Sequence, residues 1–133
     1  MREILFRAKR LSDGEWIDGS LFIDEKKDKH EILVGYVNYR IGWEVDPETV
    51  GQFTGLTDKN GNRIFEGDIL RWIGPDGEGG KVYVTFTRGV FGFQSIECPL
   101  AAPDLFADFE TGNQTLEVIG NIHDNPELLE AQS

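Results

Sequence analysis

Between Pro47 and Leu70 the chain reads PETVGQFTGLTDKNGNRIFEGDIL, with Asn60-Gly61 flanked by Phe53 and Leu56 on one side and Ile64 and Phe65 on the other. An Asn-Gly pair between apolar runs is the strongest short-range hairpin signal. Both residues accept positive φ, and a type I′ turn follows the right-handed twist of the strands it joins. Gly55 and Gly67 bracket the stretch. The segment predicts an antiparallel hairpin with a type I′ turn at Asn60-Gly61. It constrains the fold tightly and says little about chemistry.

The rest of the chain repeats this grammar of short apolar runs and glycine turns. Strands are expected over Glu3–Ala8, Glu15–Ile23 (with Gly19 as a bulge or bend), Glu31–Val37 and Tyr39–Val45. Asp24–His30, DEKKDKH, reads as a charged, mobile connection. Further strands are expected over Gln52–Thr54, Arg63–Phe65, Asp68–Ile73, Lys81–Thr87, Val90–Ile96 and Leu116–Ile122, with a second hairpin at Arg88-Gly89. Asp104–Phe109 reads as a short helix or an irregular connection, and Asn125-Pro126-Glu127 as the capped start of a short C-terminal helix. Strands at spacings of about 8 to 12 residues imply an all-β protein. A small barrel, closed or nearly so, is the expected arrangement, because closure removes edges that pair with neighbours. The expected division is an N-terminal β lobe over 1–46 and a barrel-like β domain over 47–133, with one continuous domain as the alternative.

With 133 residues and 39% apolar content, the chain can bury a core without metal or disulfide. Cys98 is the single cysteine, which suits a reducing compartment. Met1–Arg10 holds only the apolar run Ile4-Leu5-Phe6 among four cations, which is not a signal peptide, and no run approaches the ~20 apolar residues of a membrane helix. The expectation is a soluble protein of the host-cell cytoplasm.

The net charge of −11 is uneven: residues 1–40 carry eight basic and eight acidic side chains, and residues 41–133 carry five and sixteen. After Arg88 there is no Lys or Arg, while eight acids follow. Such a field repels phosphate and anionic lipid and favours basic partners, although solubility alone also explains it.

Arg2-Glu3-Ile4, Phe6-Arg7-Ala8 and Gly14-Glu15-Trp16 open a series of ordered blocks. Pro47–Leu56, Asp58–Gly61 and Ile64–Ile69 are the densest of them, and Glu117–Ile122 and Asn125–Leu129 close the series. These blocks resemble the YopX-like family of bacteriophage and prophage proteins. Residues 71–113 match least, and His123 stands where an aromatic is expected. The resemblance implies a β-rich fold with a barrel-like C-terminal half, a phage or prophage origin and self-association. It brings no catalytic residue.

Several residues invite chemical readings. Asp58-Lys59-Asn60-Gly61-Asn62 opens like an EF-hand calcium loop, but Arg63 and Ile69 occupy the positions that need Gly and a carboxylate, so a hairpin turn is favoured. Glu66 and Asp68, two apart across Gly67, form a carboxylate pair of the kind that serves acid/base work or Mg²⁺. With no nearby base or cation, a strand start with a positive-φ glycine and solvated acids is the better account. His30 and His123 lack metal spacing; either could approach Cys98 in space as a base, but the acidic stretch around Cys98-Pro99 disfavours its thiolate, and a small hydrophobe is the better account. Gly74–Gly80 has no phosphate-loop lysine and carries Asp76 and Glu78. Trp72, Tyr83, Phe86, Phe91 and Phe93 can stack bases on a barrel face, yet core packing explains them better. No catalytic, cofactor or metal residue is therefore assigned, and the chain is not expected to be an enzyme. The expected role is a phage accessory protein that acts by protein contact through an acidic surface represented by Asp104, Asp108 and Glu110. Its partners would be a protein with a basic surface and further copies of itself, with no nucleic acid and no membrane. The alternative is a nucleic-acid-binding barrel using its aromatic face.

Overall fold

A computed structural model of the chain describes residues 3–35, 40–73, 79–87, 89–96, 104–105 and 116–130. Two antiparallel sheets hold the strands, so the chain is all-β. With the strands numbered in chain order as β1 (Phe6–Lys9), β2 (Trp16–Asp24), β3 (Lys29–Gly35), β4 (Arg40–Val45), β5 (Gly51–Thr57), β6 (Arg63–Phe65), β7 (Asp68–Ile73), β8 (Gly79–Thr87), β9 (Val90–Ser95), β10 (Asp104–Leu105) and β11 (Leu116–Asn121), the first has the order β4-β3-β2-β1-β5-β6 and the second β10-β9-β8-β7-β11. The chain divides into two compact units, Met1–Phe53 and Thr54–Ser133.

The first unit contains β1 (Phe6–Lys9), β2 (Trp16–Asp24), β3 (Lys29–Gly35), β4 (Arg40–Val45) and the beginning of β5 (Gly51–Thr57). Register places Phe6 and Ala8 of β1 on one face with Ile17 and Leu21 of β2, Ile32 of β3 and Val45 of β4. Ala8, Ile32 and Val45 are buried there, with Phe6, Ile17, Leu21 and Val50 packed around them. The alternation expected of a half-buried sheet puts these side chains inward. The sheet also curls. Arg10 bridges Val45, the Leu11 N–H donates to Glu44 O at 3.0 Å and the Asp46 N–H to Lys9 O at 2.9 Å, so the end of β4 returns to the end of β1.

Gly19 marks the bend that permits this. Up to Gly19, β2 pairs with β1, and from Ser20 it pairs with β3. A β-carbon at Gly19 would collide with the Leu33 carbonyl and lie 2.9 Å from Ile32 Cγ2. Asp24–His30 is not a loose connection. Asp24 closes β2, Lys29 opens β3, and Asp24 Oδ1 accepts from the Lys26 and Lys27 N–H groups at 3.1 and 3.2 Å. That side-chain bridge turns four charged residues into a tight hairpin. β3 lies between β2 and β4 and is paired on both sides.

The second unit contains the end of β5, then β6 (Arg63–Phe65), β7 (Asp68–Ile73), β8 (Gly79–Thr87), β9 (Val90–Ser95), β10 (Asp104–Leu105) and β11 (Leu116–Asn121). Ile64, Leu70, Val82, Val84, Phe93 and Leu116 form its buried core, with Leu56, Trp72, Phe91 and Val118 against them. The second hairpin turns at Gly89 as expected, and Thr87 pairs with Val90.

The closed barrel does not form: both strand orders run from one edge to another among the described residues. The C-terminal helix is one 3₁₀ turn, Pro126–Leu129. Asn125, the expected cap, makes no capping bond. Its Oδ1 accepts instead from the Asn121 N–H at 3.2 Å, which draws the side chain back toward β11. Asp104–Leu105 is a short strand opposite Gly92 and Phe93.

Replacing Gly19 with Ala should lower stability by about 1–3 kcal/mol, the range for overpacking against a rigid neighbour. Urea unfolding followed by tryptophan fluorescence checks it. An unchanged midpoint would remove the close approach of β2 to β3.

Candidate functional site

The densest polar constellation among the described residues is the β5–β6 turn. Asp58 N–H donates to Asn62 O at 2.8 Å and Gly61 N–H to Asp58 O at 3.0 Å. Gly61 has φ +83°, but Asn60 does not share that sign, because among the described residues Asp28 is the one non-glycine residue with positive φ. The turn is therefore not type I′. It is a type I turn closed by a glycine in the left-handed region, the usual three-residue hairpin loop.

Asp58 explains the difference. Its Oδ1 accepts from the N–H groups of Asn60 at 2.9 Å and Asn62 at 2.8 Å. Oδ2 accepts from Asn62 Nδ2 at 3.3 Å and from the Val118 N–H at 2.9 Å. Holding both turn amides with one carboxylate favours the type I geometry, an Asx arrangement. The carboxylate is 3% exposed. Burial pushes its pKa up, but the N–H groups of Val118, Asn62 and Asn60 outweigh it and hold the group below the ordinary Asp value. Lys59 adds a backbone bond to Leu116 O at 3.0 Å and an ion pair with Glu117 at 3.0 Å. The turn is thus fastened along β11. Its oxygens hold amides, and no group of metal-ligating side chains occurs among the described residues.

Asp68 of the carboxylate pair is likewise taken up by a turn. Asp68 is 1% exposed and its Oδ2 accepts from the Phe65 N–H at 2.8 Å, so it caps the β6–β7 turn and does not face water. The expectation of two solvated acids fails because β6 leaves that amide buried. Gly67 takes φ +90° as expected. Its N–H donates to Val84 O at 3.0 Å, and its carbonyl accepts from the Ile122 N–H at 2.9 Å. His123 lies in the turn after β11 and is half-buried.

Of the aromatics, Trp72, Phe91 and Phe93 belong to the core. Phe86 is exposed and meets Phe91 edge-on at 4.8 Å. In the first unit the cations of β1 stack on tryptophans: Arg7 and Lys9 lie 4.7 and 5.5 Å from the Trp16 ring, and Arg10 lies 4.6 Å from Trp43. Arg10 also pairs with Asp13, and Lys29 with Glu44 at 3.7 Å.

Asp104 lies in β10 opposite Phe93. Asp108, Glu110 and Cys98 lie outside the described residues, as do residues 74–78, while Gly79 and Gly80 open β8. Sequence reasoning weighed Asp58 as a cation ligand or turn residue and missed its contact to Val118. The strand expected over Leu116–Ile122 was the only signal there, and it did not name a partner for the Val118 amide.

The model of the family described as YopX protein matches residues 5–130. The chain belongs to the YopX family. Protein EF1440 from Enterococcus faecalis, known from a crystal structure, shares 25% identity with this YopX chain at a TM-score of 0.59. The likeness covers 98% of the YopX chain and 100% of the other. No curated protein matches. Among the described residues no helix is long and apolar enough to cross a membrane.

Asp58→Ala should cost about 3 kcal/mol, since it leaves a buried strand amide and two turn amides without their acceptor. The sign of the pH effect follows from the depressed pKa. Asp58 stabilises the fold fully above its unfolded pKa of about 3.9 and loses that contribution as pH falls through its lower folded value. Asp58→Asn should therefore flatten the fall of the urea midpoint below about pH 4. Equal acid sensitivity in both proteins would show that Asp58 does not carry it. Gly61→Val should cost ~1 kcal/mol or more and Gly61→Asn much less, because Asn tolerates the left-handed region. Equal melting temperatures for the two variants would contradict the turn geometry.

Proposed function

We propose that this YopX-family chain is a phage-encoded accessory protein of the host-cell cytoplasm, acting by protein contact and not by catalysis. Family membership supports the phage origin. The observation that carries the reading is the one-sided charge: sixteen acids against five cations after residue 40, with Asp124, Glu127 and Glu130 exposed around the C-terminal turn. The preferred partner is a protein with a basic surface, met through the acidic C-terminal part that includes Asp104, Asp108 and Glu110. Self-association belongs to the same reading, while nucleic acid and membranes do not. The absence of catalysis is supported by the use of Asp58 and Asp68, the two carboxylates best placed by spacing for acid/base or metal work. Each is buried and accepts backbone amides.

Affinity capture from infected cells, repeated with Asp104→Asn, Asp108→Asn and Glu110→Gln combined, tests it. Basic proteins should be retained at low salt and released at high salt, with weaker retention by the triple variant. Binding to single- or double-stranded DNA should be undetectable at ~0.15 M salt, since few cations are available to release phosphate counterions. DNA binding together with unchanged protein capture by the triple variant would replace this reading with the nucleic-acid alternative, for which exposed Phe86 is the starting point.

A further inference from the structure

Asn60 is the one asparagine of the chain that glycine follows. Such a pair carries covalent chemistry of its own. The backbone nitrogen of Gly61 can attack Cγ of the Asn60 side chain, because glycine has no β-carbon to shield that nitrogen. The new N–Cγ bond forms as the Cγ–Nδ2 bond breaks, and Nδ2 leaves as ammonia with the proton that Gly61 gives up. Water then opens the cyclic imide at either carbonyl. One opening gives aspartate, and the other gives isoaspartate, in which the backbone runs through Cβ and Cγ. The other described asparagines are poorer candidates. Arg63 and Ile122 crowd the nitrogens that follow Asn62 and Asn121, and Pro126 after Asn125 has no amide proton.

Access to the pair is open. Asn60 and Gly61 are both exposed, and a β-carbon at Gly61 would meet no atom within 4 Å. Hydrogen bonds, not burial, restrain the reaction. The Gly61 N–H, whose proton must leave, donates to the Asp58 carbonyl at 3.0 Å. Asp58 Oδ1 holds the amides on either side, Asn60 at 2.9 Å and Asn62 at 2.8 Å. The third residue of a type I turn has ψ of about 0°. Ring closure swings ψ of Asn60 far from that value and pulls the Gly61 N–H off its acceptor. We infer that Asn60-Gly61 is a covalent modification site, an imide-forming pair that the Asp58 hydrogen bonds latch in the folded chain and that converts when the β5–β6 turn opens. The same carboxylate accepts from the Val118 N–H at 2.9 Å, so conversion reaches β11. Isoaspartate lengthens the backbone by one atom between the Cα of residue 60 and the nitrogen of Gly61. A single carboxylate then no longer spans both turn amides, and its hold on β11 loosens. Aspartate keeps the backbone length and adds only an exposed charge, where repulsion is weak.

Incubation of the full chain in alkaline buffer, folded or in concentrated urea, tests the inference. Peptide mapping by mass spectrometry follows the amide-to-acid mass gain at Asn60, and isoaspartyl methyltransferase labelling identifies isoaspartate. The unfolded chain should convert at least about tenfold faster than the folded one, whose rate is scaled by the fraction of turns that are open. Below the unfolding transition the rate should rise with urea less steeply than global unfolding does, since opening one turn exposes little surface. Asp58→Asn, shown to be folded by circular dichroism, replaces an acceptor oxygen with a donor and should convert about tenfold faster than wild type. Amide hydrogen exchange at Val118 should quicken in the isolated isoaspartate form and stay as in wild type for Asn60→Asp. Equal rates in folded and unfolded wild type, or no conversion in urea, would overturn the site. A urea slope equal to that of global unfolding, or a folded Asp58→Asn that converts no faster, would overturn the latch. The slope is read on wild type, so poor folding of Asp58→Asn does not spare the inference. Unchanged Val118 exchange in the isoaspartate form would overturn the link to β11.

Discussion

A single buried carboxylate joins parts of the second unit that lie far apart in the chain. Asp58 stands at the end of β5, yet one of its four donors is the Val118 amide, sixty positions later. An ionised acceptor of this kind makes stronger hydrogen bonds than a neutral one, and a buried amide left without an acceptor is costly. The β5–β6 turn thus takes its shape from the same group that fastens β11. The Lys59–Glu117 pair runs alongside but is about one-third exposed on both sides, where ion pairs contribute little. The bonds to backbone amides are the ones that matter.

This arrangement bears on architecture. A barrel removes strand edges by closure, whereas this chain covers them piecemeal. A carboxylate and a neighbouring backbone amide stand in for a strand beside β11. Asp68 caps the Phe65 amide of the short β6, and the end of β1 curls onto the end of β4. Each device is local and involves one or two groups, so the sheets stay open. The same devices account for the chemistry. Carboxylates whose spacing suggests metal or proton work sit where strand ends leave amides without partners, and they are held there.

The first unit applies a parallel logic to its cations. Arg7, Lys9 and Arg10 are set against Trp16 and Trp43, and Arg10 and Lys29 also pair with acids. Their alkyl stems and charges cover aromatic surface. The long cations of this unit contribute to its packing as well as its charge.

The sequence alone determined the strands and most turns. Alternation at Lys81–Thr87, glycines at positions 61, 67 and 89, and the charge imbalance after Arg88 are properties of short windows, and the structure keeps the elements they imply. Gly19 as a bend was legible for the same reason. Tertiary structure decided what those windows could not. Asn60-Gly61 allows type I′, but Asp58 selects type I by binding both turn amides. Asn125 reads as a helix cap, but the Asn121 amide takes its side chain. Asp68 reads as solvated, but a buried amide at Phe65 draws it inward. In each case a polar side chain chose between a local preference and a bond that only the folded chain offers. Burial settles the choice, because an unsatisfied amide away from water outweighs the small differences between turn types or caps.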